Sequence, residues 1–267
     1  MVIKSTLDLS VRRHIPRRLV LAAPFSMVVA ANGREARQLA SLEGLSVTEL
    51  ENKTHHVQGI VVDGTSLWVS SVSKPHRAGY LHQFEIETGR HLATEPIHQG
   101  DRYHPGGIDH DTEAIWVPVA EYRKLSSSTV LRIDKKRRKV RKSFDVPDHI
   151  GCVAVATDML IGGNWDSREF YYWDFDGKLI EKKKNPNLVA YQDLKFQDGM
   201  LLASGNVSQD EGAIDWLDPK TLQLRKRILS GKTDRGVRFT NEGMAVVNGK
   251  LYLLPEDGPS RLFVFRL

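Results

Sequence analysis

One motif occurs five times along this chain, and that recurrence limits what the chain can fold into more than any other feature. Residues 55–69 run from a polar start (His55, His56, Gln58) through Gly59 into the apolar stretch Ile60–Val62, an Asp63-Gly64 turn and a second apolar strand at Leu67–Val69. The pattern returns at 104–117, 149–162, 192–203 and 242–253. Aligned on Gly59, Gly107, Gly151, Asp193 and Gly243, the steps are 48, 44, 42 and 50 residues. A period of about 40–50 residues with several strand-length apolar runs per unit is the signature of propeller blades.

Each of the first four units continues into a third and a fourth strand, as in Tyr80–Ile86 followed by Arg90–Ala93. The fifth stops at Leu262–Leu267, one strand short. The alternating segment Leu45–Leu50 has the pattern of a half-buried strand and is predicted to supply the missing one, closing a ring between the two ends of the chain. The expected fold is all-β: a five-bladed β-propeller of four-stranded antiparallel blades over residues 45–267, with 32–44 as a linker in which Glu35–Leu42 is a short connection or helix. A ring explains the repetition, because one four-stranded sheet leaves a face exposed whereas sheets around an axis bury one another. The five Trp, seven Tyr and nine Phe fall largely on strands, where they fill the space between blades.

The net charge of +5 comes mostly from the first 31 residues, where Lys4, Arg12, Arg13, Arg17 and Arg18 face a single Asp8. Leu19–Ala31 follows as an apolar stretch ending in small residues, so 1–31 reads as a signal peptide, with Ser10–Arg13 giving a loose twin-arginine pattern. That implies export to the periplasm or the cell exterior; the competing reading is a frayed extension or a short buried helix. No later run is long enough to span a membrane. Cys152 is the single cysteine and reads as a small core residue. Lys135–Lys142 holds seven basic residues in eight but falls in the hairpin between a third and a fourth strand, so a solvated turn is expected rather than a nucleic-acid surface. No nucleic-acid partner is expected, and the chain is read as a monomer.

In a propeller, the starts of the innermost strands and the loops joining second to third strands meet around one mouth of the central channel. That geometry gathers His56, Gln58, His104, His149, Gln192, Asp193 and Glu242 from the strand starts, and Tyr122, Asn164, Trp165, Asn206, Glu256 and Asp257 from the loops. His56, His104 and His149 nearly coincide when the repeats are aligned; such imidazoles could ligate zinc, act as acid and base, or cap neighbouring blades. Glu242, Asn164 and Asn206, with Asp166 or Asp257, form an oxygen-rich set suited to calcium or magnesium. No nucleophile elbow, His-Glu-x-x-His helix, phosphate loop or cysteine pair is present, which suits a site assembled from several blades.

Over residues 45–267 the five-unit organisation resembles an uncharacterised group of secreted bacterial propellers. Val57-Gln58-Gly59-Ile60 and the turn at Glu85–Gly89 are similar to secreted glutaminyl cyclotransferases, five-bladed propellers, although Trp68–Ser71 stands where that family has Glu-Ser-Thr-Gly. Glu242-Gly243 resembles the Glu-Gly start of gluconolactonase-like propellers, six-bladed proteins in which a Glu, Asn residues and an Asp hold a divalent cation. The likeness matches Glu242, Asn164 and Asn206 in kind to those ligands.

The expectation from the sequence is a site for a small polar molecule in the central funnel, holding one divalent cation (calcium, magnesium or zinc) and hydrolysing a lactone, ester or similar substrate. Glu242 and His104 or His149 are its catalytic groups; His56, Gln58, Gln192, Asp193, Trp165 and Tyr122 contact substrate. A binding propeller for a peptide, glycan or surface polymer is the competing class, and a cyclotransferase-like acyl transfer is third.

Overall fold

The computed structural model describes residues 37–267. The signal-peptide reading of 1–31 falls outside the described residues. Five sheets radiate from one axis. Blade 1 comprises His56–Asp63, Ser66–Ser73, Ala78–Glu85 and His91–Pro96, from the axis outward; blade 3 comprises Ile150–Val155, Leu160–Asn164, Glu169–Trp173 and Leu179–Lys184. Blade 4 comprises Ala190–Gln197, Met200–Asn206, Gly212–Leu217 and Leu224–Ser230. In blade 2 the innermost strand is split into Arg102–Pro105 and Asp109–His110, followed by Ala114–Glu121, Ser128–Asp134 and Val140–Val146. Among the described residues no helix is long and apolar enough to cross a membrane.

Blade 5 contains Glu242–Val247, Lys250–Pro255 and Arg261–Arg266, and its outer strand is Gly44–Glu49, antiparallel to Arg261–Arg266 with Val47 opposite Phe263. The ring is thus closed by the N-terminal strand, as the repeat pattern predicts. The segment before it does more than link: Arg37–Gln38 pairs in parallel with the outer strand of blade 4, and Leu39 and Leu42 are buried against Leu202, Ile214 and Leu251 in the groove between blades 4 and 5.

Strand alternation explains why the innermost runs are apolar at every position. Ile60 and Val62 face blade 5, packing on Ala245 and Leu254, while Val61 between them faces blade 2, packing on Ile108 and Ile115. One apolar cluster lies at each of the five blade interfaces. Each fully buried Ile, Leu or Phe contributes about 1.5–3 kcal/mol. The hairpins at Asp198-Gly199 and Asn248-Gly249 have positive φ at both residues, the type I′ turn whose twist matches the flanking strands.

Gly59 and Gly107 sit where the innermost strands approach backbone to backbone. A Cβ on Gly107 would lie 2.6 Å from the Gln192 carbonyl oxygen and 2.7 Å from an Asp193 carboxylate oxygen. Those atoms belong to blade 4, across the axis. Asp193 is fully buried there, accepting the backbone N–H groups of Ile60 (3.1 Å) and Met244 (3.0 Å) and pairing with Lys195 Nζ at 2.6 Å. Lys195 also donates to the Ile108 carbonyl at 2.8 Å. Four of the five innermost strands are therefore tied to one buried ion pair, which fills the channel.

Candidate functional site

At the funnel mouth each blade presents two positions, one where the innermost strand begins and one just past the second strand. Blades 1 and 5 place His56, Glu242 and Glu256 together, their nearest ligating atoms all within 4.8 Å of one another. His56 Nδ1 lies 2.7 Å from Glu256 Oε1. Glu242 is 7% exposed, and among the described residues nothing hydrogen-bonds its carboxyl group. Burial pushes that carboxyl up to about 8, against the opposing field of His56. Its backbone sits at φ 116°, a conformation that L-residues avoid, so the fold holds this side chain in place at a cost of about 1–3 kcal/mol. His56 is raised from its ordinary value: burial works against protonation, but the Glu256 contact and the charges of Glu242 and Glu256 outweigh it.

Blades 2 and 3 form the facing wall. The His104 ring lies 4.1 Å from Tyr122, 5.2 Å from His149 and 6.0 Å from Trp165; His149 and Trp165 meet edge to face at 4.5 Å. Lys74 of blade 1 reaches over the Tyr122 ring at 4.6 Å and joins the two halves. Burial and the neighbouring His149, His56 and Lys74 drive His104 down to about 3. His149 is also lowered, chiefly by burial. Burial thus disfavours the protonated form of both rings. Both shifts run away from neutral, where a general base works best.

The oxygen-rich ligand set expected from the sequence does not assemble around Glu242. Asp257 is buried and engaged by Arg235 at 3.0 Å and Arg261 at 2.5 Å, while its neighbour Glu256 turns to His56. Asn164 donates to Asp148 at 2.8 Å and accepts the Glu169 N–H at 3.0 Å. Asn206 donates to Asn241 at 3.5 Å, and its carbonyl oxygen is buried without a partner. Of the residues expected on substrate, His56, Tyr122 and Trp165 line the two walls. Gln58 turns back onto the Val57 carbonyl at 2.9 Å, Gln192 sits half-buried in a bulge of its strand, and Asp193 is the axial carboxylate rather than a substrate contact. Cys152 is fully buried, its thiol pushed up to about 12 by burial. In the basic hairpin, Lys135, Arg138, Arg141 and Lys142 pair with Asp63, Glu95, Glu113 and Asp176. A groove of about 450 Å³ lies on the opposite face between blades 2 and 3, where Arg132 is already held by Asp111 and Glu113.

Residues 34–198 match a family described as a family of unknown function, DUF6454. The chain belongs to that family. The DUF6454 match covers blades 1 to 3 and the first strand of blade 4, so it includes His56, His104, Tyr122, His149 and Trp165 and ends before Glu242 and Glu256. Among solved structures, this DUF6454 chain is similar to the Myxococcus xanthus glutaminyl cyclase at 16% identity and a TM-score of 0.63, covering 84% of this chain and 97% of that one. It is also similar to the Bacillus licheniformis GH43 endo-arabinanase at 12% identity and a TM-score of 0.50, covering 81% and 94%. At these identities the likeness is one of fold. No curated protein sequence matches.

Proposed function

We propose that the funnel is a divalent-metal-dependent hydrolytic site for a small polar substrate, with the ion held by His56, Glu242 and Glu256. The observation that carries this reading is the convergence of one imidazole and two carboxylates from two blades, one of them buried, unpartnered and held on a strained backbone. A mixed nitrogen and oxygen set favours zinc or a similar first-row ion over calcium or magnesium. A bound ion would polarise a substrate carbonyl and lower the pKa of a bound water. The protein contributes the shape: Glu242 fixes the floor, Tyr122 and Trp165 provide flat apolar walls, and Lys74 supplies a positive charge at the rim. Mass spectrometry of the purified chain should find near-stoichiometric zinc or a similar ion, lost in Glu242→Gln with the melting temperature otherwise close to wild type. A metal-free wild-type protein would remove this assignment.

One observation favours a second, metal-free reading. With its carboxyl pushed up to about 8, Glu242 is a proton donor at neutral pH in the absence of an ion, beside a His56 whose protonation the neighbouring carboxylates favour. Activity that survives chelation but disappears in Glu242→Gln would select acyl transfer by acid and base.

A further inference from the structure

We infer that His149 locks His104 into the tautomer that leaves His104 Nε2 unprotonated, making His104 a fixed hydrogen-bond acceptor that selects substrates carrying an N–H or O–H donor. The role toward substrate rests on the reading of the funnel as a reaction site; the tautomer does not.

The argument follows the hydrogen bonds inward from the backbone. His149 Nδ1 lies 2.8 Å from the Arg123 carbonyl oxygen, with Ser126 Oγ at 3.2 Å. A carbonyl oxygen only accepts, so His149 Nδ1 carries the proton. In an uncharged ring the other nitrogen is then bare, and His149 is buried with its protonation disfavoured. His104 Nδ1 stands 3.3 Å from that bare His149 Nε2, so it must donate. The remaining nitrogen, His104 Nε2, is left with a lone pair and has no hydrogen-bond partner among the described residues. His104 packs at a tilt against Tyr122, feels the charge of His56 across the funnel, and has its protonation driven down to about 3, so the lone pair persists. A site built to accept a hydrogen bond rejects an isostere lacking the donor far more strongly than an apolar pocket can, because the acceptor would otherwise be desolvated without a partner.

Long-range proton–nitrogen correlation spectra of the nitrogen-15-labelled full-length protein at pH 7 read each tautomer directly. Both rings should show protonated Nδ1 and bare Nε2. In His149→Gln the side-chain amide can still donate to Arg123 and accept from His104, so His104 should keep its tautomer. In His149→Phe, which fills the space but accepts nothing, His104 should shift toward the Nε2-protonated form. A protonated His104 Nε2 in the wild type, or a tautomer indifferent to His149→Phe in a folded variant, would overturn the lock. For the acceptor role the probes are N-methylacetamide and N,N-dimethylacetamide. Only the first should move the His104 Nε2 resonance, and a shift from both or from neither rejects that role. None of these readings requires a bound metal, so their failure is separable from failure of the metal assignment.

Discussion

Glu256 and Asp257 are adjacent in the chain and end in opposite situations. Asp257 is fully buried between Arg235 and Arg261, whereas Glu256 is exposed and turned toward His56. Removing the charge of Asp257 leaves two guanidinium groups short of their partner, so Asp257→Asn should destabilise the fold by about 2–4 kcal/mol in urea titrations. Glu256→Gln should change stability by less than about 0.5 kcal/mol, because an exposed ion pair contributes little, while still lowering metal uptake. The sequence pointed to Asp257 as the ligand because nothing local separates two consecutive carboxylates. Arg235 lies 22 residues upstream and reaches Asp257 only once the loops of blade 5 are formed, where it joins Arg261, four residues downstream. His82 marks a second such residue. It is buried between Ser71 and Thr94, both at 2.8 Å, and held down to about 3 by burial. The unfolded chain binds a proton there from about pH 6.5 downward while the folded chain does not, so stability falls as the pH drops from 6.5 toward 3. Between pH 7 and pH 5 this amounts to about 2 kcal/mol. Urea melts of His82→Gln should lose correspondingly less than wild type over that interval.

At the scale of the strand, the recurrent glycines are the part of the site's framework that was legible in advance. At Gly59 and Gly107 a Cβ would lie under 3 Å from neighbouring backbone, whereas Gly151 has only ordinary contacts and the fourth unit carries Asp193 at this position. Gly107→Ala should therefore cost more than about 2 kcal/mol, since the new methyl group meets rigid backbone and the axial carboxylate. Gly231→Ala, with open space around it, should be neutral within about 0.5 kcal/mol. The closing strand was legible for a related reason: a fifth unit one strand short leaves an edge that must be covered. The division of blade 2's inner strand at Gly106–Ile108 had no such signal, because the repeat pattern carries strand spacing and not local breaks. Nor could spacing say which funnel residues would meet, since His56 and Glu242 are brought together only by ring closure.

Across the whole molecule, the two ends of the chain are joined in blade 5, so the funnel depends on a contact between residues some 200 positions apart. Deleting residues 37–50 should uncover the Arg261–Arg266 edge, and hydrogen exchange should then show those amides unprotected and the protein prone to self-association. The axis itself is solid: Asp193 and Lys195 occupy the place where an open channel would run, with Gly107 pressed against them. The funnel is consequently a vestibule with a single door. No polymer can be threaded through this ring, so a long chain could offer it only an end or a protruding side group, and whatever leaves the floor must pass out the way the next molecule comes in.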